Sequence, residues 1–114
     1  MRKVRPPLPP GALEALAELG AGLRDLRRRR RIPVAAAADR ALISRSTLYK
    51  VERGDPGVSL GIYATVLQGY GMLERLAVLA EARFDQSGLA LETARLPRRI
   101  RPPRVPGHAT QGVL

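Results

Sequence analysis

The chain has 114 residues, about one domain's worth, with twenty Lys and Arg against ten Asp and Glu for a formal net charge of +10, no Cys, one His, one Phe, three Tyr and no Trp. Without Cys there is neither a disulfide framework nor a thiolate metal site, and the lone His108 lies in a Pro/Gly-rich stretch with no second ligand, so neither metal chemistry nor a cofactor is expected. No apolar run is long enough to span a membrane and MRKVRPPLPPG lacks the apolar core of an export signal, which makes a cytoplasmic protein the expectation.

With so few aromatics the core has to come from Leu, Ile, Val and Ala, and this favours helices. Pro6, Pro7, Pro9 and Pro10 predict an extended, disordered basic arm over 1–11. Leu13, Leu16, Leu19, Leu23 and Leu26 then recur at three- and four-residue spacing, predicting a first helix over 12–31 with that stripe buried. Gly20 and Gly22 lower helix propensity within it, so that 12–18 form either a separate turn or a frayed extension. Pro33 suits the first position of a second helix, over 34–41 (VAAAADRA). After a break at Leu42 and Ile43, Ser44 is a candidate N-cap of a third helix that Gly54 ends, with Leu48 and Val51 as its inner pair. Ser59 caps a fourth helix with Ile62, Val66 and Leu67 inward, closed by Gly69 and Gly71. A fifth follows over 72–83 with Leu73, Leu76 and Leu79 or Ala80 facing the core. LALETAR allows one more short helix in an extension over 84–96. From Pro97 the prolines exclude regular structure, leaving a basic tail over 97–114.

Charge is unevenly placed. Residues 1–10 hold Arg2, Lys3 and Arg5 and residues 97–114 hold Arg98, Arg99, Arg101 and Arg104, with no acid in either flank. Between them, RDLRRRRR at 24–31 sets six Arg against one Asp, whereas 54–96 sets three Arg against five acids. A basic first half beside a mildly acidic second half suits a polyanion on one face and something else on another; the alternative is an Arg-rich solvated surface. Either Arg2, Lys3 and Arg5 enter a minor groove and Arg98 to Arg104 follow phosphates or bind an acidic patch on a partner, or both flanks are solubilising ends.

Two short helices around a turn, followed by two more, follow helix-turn-helix order. From Leu19 to Gly71 the sequence resembles the Cro/CI-type (XRE) helix-turn-helix domains of the lambda-repressor-like fold. LGAGLRDLRRRRRIP is similar to that family's first helix and the link beyond it, and AAAADRALISRSTLYKVERG to its second and third, with Ala38, Ala41, Ser44, Glu52 and Gly54 at characteristic positions. The resemblance implies an all-α five-helix bundle over 12–83 and a structural ion pair between Arg27 and Glu52. The chain departs from the family pattern at Pro33-Val34 in place of Thr-Gln, at Ala37 in place of Leu, and at Leu42 in place of a turn Gly. Leu42 therefore has either to take a costly left-handed conformation or to sit in a modified turn.

If the third helix enters a major groove, Arg45, Ser46, Tyr49 and Lys50 are the candidate base contacts. Arg45 and Lys50 can donate to guanine O6 and N7, and Tyr49 offers a ring edge to a thymine methyl or a hydroxyl to phosphate. Ser44, Thr47, Arg53, Arg30 and Arg31 are the candidate phosphate contacts, which fix register without reading sequence.

A second resemblance runs from Glu52 to Arg101, through GDPGVSLG, GMLERLAVLA and LPRRIR, and is to antitoxin-like regulators paired with HipA-type kinase toxins. It implies a homodimer on an inverted-repeat operator of double-stranded DNA, repressing its own promoter and holding a HipA-like toxin. Val34, Ala37 and Leu42 motivate a different reading, an adaptor that keeps the fold and acts by binding a partner protein. No acid/base cluster, His-based triad or phosphate-cradling Gly loop suggests an enzyme.

Overall fold

The computed structural model describes residues 7–94, and all the regular elements among them are helices. The basic flanks, with Arg2, Lys3, Arg5, Arg98, Arg99, Arg101, Arg104 and His108, lie outside the described residues. The described chain falls into two compact units, one ending at Leu79 and one beginning at Ala80.

The first unit contains five helices: α1 (Pro10–Arg29), α2 (Val34–Ala41), α3 (Arg45–Glu52), α4 (Leu60–Gly69) and α5 (Leu73–Ala77). α1 is continuous and starts two residues before the expected position. Pro10 occupies its first turn, where a missing N–H leaves nothing unsatisfied, and extended Pro9 precedes it. Gly20 does not interrupt this helix. A Cβ there would stand 2.6 Å from the Gly54 amide nitrogen and the Val51 carbonyl oxygen, so the glycine is what lets α3 cross α1 backbone to backbone.

The buried stripe of α1 is shorter than its leucine pattern. Gly20, Leu23, Leu26 and Arg27 are buried, whereas Leu13 and Leu19 remain 43% and 40% exposed. Periodicity marks a face of a helix; it does not mark where the partner over that face ends.

Four helices stop in the same way. At Arg31, Leu42, Gly54 and Gly71 the backbone turns left-handed, with φ of 57°, 60°, 70° and 75°. In each case the next amide reaches back five residues, as in Ile32 N–H to the Arg27 carbonyl and Ile43 N–H to the Ala38 carbonyl, each 3.0 Å. This is the Schellman arrangement, which satisfies carbonyls a helix end otherwise leaves open. Arg31 ends α1 two residues earlier than the arginine run suggests, and Leu42 takes the costly one of its two expected conformations.

The core joins Leu23, Leu26, Ile32, Ala37, Ala38, Ala41, Leu48, Val51, Val66 and Leu67. It is not purely aliphatic, because Tyr63 and Tyr70 are buried with them. Tyr63 donates its hydroxyl to the Asp55 carbonyl at 3.0 Å, tying α4 to the loop behind α3. α2 packs on α3 and α4, α1 on α3, and α5 on α4. α5 spans one turn and ends at Ala77 instead of extending to 83. Leu76 is partly buried against the core while Leu79 is 70% exposed, and a helix this short lengthens only where an apolar face is covered.

In the second unit a 3₁₀ turn (Ala82–Phe84) leads into α6 (Gln86–Ala94), so the extension expected over 84–96 is helical for most of its length. Asp85 starts α6 by accepting from the Gly88 amide at 2.9 Å.

Candidate nucleic-acid interface

The position of α3 is set from both ends. Ser44 is extended and its Oγ accepts from the Thr47 amide at 3.0 Å, satisfying one open donor of the first turn. The Ser44 hydroxyl in turn donates to Thr47 Oγ1 at 2.9 Å, leaving the Thr47 proton as the uncommitted donor of that pair. Leu48 and Val51, both fully buried, hold the helix from beneath. At its far end Glu52 receives Arg27 through two bonds, Nε to Oε2 at 2.7 Å and Nη2 to Oε1 at 3.1 Å. The third arm of the same guanidinium donates to the Ile32 carbonyl at 3.2 Å. The hydrogen bond to Glu52 raises the Arg27 guanidinium above its ordinary value, against the opposing effect of burial. Arg27 therefore stays protonated across the physiological pH range.

What remains outward on α3 is Arg45, Ser46, Tyr49 and Lys50. Arg45 lies one helical turn from Tyr49, and Ser46 one turn from Lys50, so the four form a continuous face. Tyr49 is half-exposed. Among the candidate phosphate contacts, Arg53 follows this face at the end of the helix and is exposed, as is Arg31 at its left-handed turn. Arg30 is differently placed: its guanidinium donates to the Tyr70 carbonyl at 2.9 Å and lies 5.9 Å from the Tyr70 ring centre, tying the end of α1 to the end of α4. A cation over an aromatic face and on a helix-terminal carbonyl is favourable in both respects.

Between α1 and α3 an open cleft of about 170 Å³ is lined by Arg24, Arg27, Arg28, Tyr49, Glu52 and Arg53. Its floor is the neutralised Arg27–Glu52 pair and its walls are Arg24, Arg28, Arg53 and Tyr49. A model of the helix-turn-helix domain family matches residues 18–82, more than half of the chain. The protein belongs to the helix-turn-helix domain family. No curated protein and no solved structure matches it significantly.

In this helix-turn-helix domain the turn is Leu42-Ile43, α2 precedes it and α3 is the outward-facing second helix. Membership supports DNA-binding regulation as the class of function. Among the described residues no helix is long and apolar enough to cross a membrane, and no three His, Cys, Asp or Glu side chains gather as a metal site would require. The helix-turn-helix domain brings Arg45, Ser46, Tyr49 and Lys50 together on one face and Arg27 against Glu52. Arg24 and Arg28, which line this cleft, belong to the arginine run that the sequence marks as a source of backbone contacts but are not singled out within it. The signal for them was available, because docking Arg27 on Glu52 carries the residues three before and one after it to the same side of α3.

Proposed function

We propose that the protein is a sequence-specific transcriptional regulator that binds duplex DNA through α3. The observation that carries this is the division of one short helix: Leu48, Val51 and Glu52 are locked inward, while Arg45, Ser46, Tyr49 and Lys50 stand free. Arg45 and Lys50 donate to guanine edges, Ser46 contacts either base pair edge, and Tyr49 meets a thymine methyl or a phosphate. Ser44, Thr47, Arg53, Arg30 and Arg31 are the proposed backbone contacts, with Ser44 acting mainly by starting the helix and Arg30 through the nitrogen atoms not bound to Tyr70.

In the finer form of the reading, the regulator is an XRE-type homodimer on an inverted repeat, with half-sites about 34 Å apart. It represses its own promoter and acts as the antitoxin of a HipA-like kinase, held through the less basic second half. Anisotropy titrations against DNA from upstream of its own reading frame test the regulator. Preference over a scrambled duplex at physiological salt is expected, and equal affinity for the two rejects sequence-specific regulation. Co-purification with the product of the adjacent reading frame tests the antitoxin.

Leu42, 90% exposed at the turn beside α3, favours a second reading as a protein-binding adaptor. A stable complex with that neighbour, combined with no operator binding by either form, selects it.

A further inference from the structure

We infer that the cleft between α1 and α3 is a binding site for a backbone phosphate of duplex DNA, with Arg24 and Arg28 as its principal ligands and Arg53 completing it. The inference rests on the DNA-binding reading and adds to it a residue pair on a different helix.

The charge of the cleft is the first argument. Its one carboxylate, Glu52, has both oxygens occupied by Arg27, so the floor carries no net charge. Arg24, Arg28 and Arg53 are exposed, none of them is in an ion pair among the described residues, and the undescribed ends contain no Asp or Glu to supply one. Three guanidiniums around one concavity repel one another until an anion sits between them, and planar guanidinium donors match phosphate oxygens well. The volume of about 170 Å³ exceeds the ~30 Å³ share of a single water several times over, enough for a phosphate group.

Position is the second argument. A helix with its side chains is about 10–12 Å across, close to the ~12 Å width of a major groove, so the two sugar-phosphate strands must run along the flanks of any helix lying there. The cleft is one flank of α3. Tyr49 belongs to both the outward face and the cleft wall, so the cleft begins where the reading face ends. Arg24 and Arg28 lie one turn apart on α1, spaced about 6 Å along its axis, and present two donors in a row toward that strand.

The test is the salt dependence of binding by the full-length chain to a mixed-sequence duplex. Arg24→Ala/Arg28→Ala is expected to keep its helical circular dichroism and to bind with a log K against log salt slope shallower by about 0.9, the value for one lost phosphate contact. Arg24→Lys/Arg28→Lys is expected to keep the slope. Arg75→Ala/Arg83→Ala removes the same charge elsewhere and is expected to leave the slope at the wild-type value. An unchanged slope for the Arg24/Arg28 alanine variant, or an equal loss for the Arg75/Arg83 variant, overturns the cleft assignment while leaving DNA binding in place. Failure of the wild-type chain to bind the duplex at all overturns both.

Discussion

Arg27 binds two parts of the molecule at once, the carboxylate that ends α3 and the carbonyl of Ile32 after the α1 stop, and through them fixes the packing of α1 on α3. Both members of the pair are buried. Removing one leaves a buried, unmatched charge, so Glu52→Ala is expected to lower the free energy of unfolding by about 3–5 kcal/mol, read from urea denaturation. Arg27→Met/Glu52→Leu is expected to cost less than either single change, because no charge is then left behind. Tyr63 and Tyr70 differ in the same sense. The Tyr63 hydroxyl has the Asp55 carbonyl, whereas the buried Tyr70 hydroxyl has no hydrogen-bond partner among the described residues. Tyr63→Phe should therefore destabilise by about 1 kcal/mol, while Tyr70→Phe should be neutral or stabilise by a similar amount. Burial raises both phenols above their ordinary value of 10.0, helped by Glu52 at Tyr70 and by Asp55 at Tyr63. The sign of the pH effect follows: well below pH 10 the two phenols are neutral in both folded and unfolded chains. As pH rises beyond that, the unfolded chain ionises first and stability falls. Urea midpoints measured upward from neutral pH should stay level and then drop, and the drop should be smaller in the double phenylalanine variant.

Two glycines of α1 separate helix propensity from packing. A methyl group at Gly22 would meet nothing within 4 Å, so Gly22→Ala should stabilise by about 1 kcal/mol. Gly20→Ala puts its methyl group against the backbone of Val51, Glu52 and Gly54, and should destabilise despite the same gain in propensity. Thermal melts of the two variants should move in opposite directions. Leu42→Gly relieves a left-handed side chain that buries almost nothing, and should raise stability by up to about 1 kcal/mol. Much of this level was legible in the chain. Ser44 and Ser59 announce their helices because a hydroxyl before an apolar pair has an open amide to satisfy, and both do so here. Leu48 and Val51 are legible as the inner side of α3 by spacing alone. The role of Gly20 was not, since a glycine that permits a crossing and one that weakens a helix look alike until the crossing helix, distant in sequence, is in place. The early end of α5 was hidden for a related reason: Leu79 continues the apolar spacing, but spacing carries no information about whether anything covers it. Arg24 and Arg28 were concealed within a run of like residues, where only the direction of Arg27 distinguishes one from the next.

At the scale of the molecule, burial is confined to one unit. Every buried side chain of the described residues lies between Leu23 and Tyr70, and none lies in α5, the 3₁₀ turn or α6. The outward face of α3 and the arginine cleft belong to the same unit. A chain ending at Leu79 is therefore expected to fold on its own, with a single cooperative thermal transition and a midpoint close to that of the full chain, followed by circular dichroism. A broad, non-cooperative melt would mean that residues 80–114 supply part of the stability of the first unit.

Four helices end in the same left-handed turn, and a neighbour dictates the residue at one of them. A side chain at Gly54 would meet the Leu16 carbonyl and the Ala17 amide, while Arg31 and Leu42 have theirs in solvent and Gly71 has open space around it. Equivalent turns are therefore expected to tolerate substitution unequally: position 54 has no room for a side chain, 31 and 42 already carry one, and 71 has the room but would carry it on a strained left-handed backbone. Variation at 42, directly before the helix that faces outward, can alter what the surface offers a partner without disturbing the frame that holds α3.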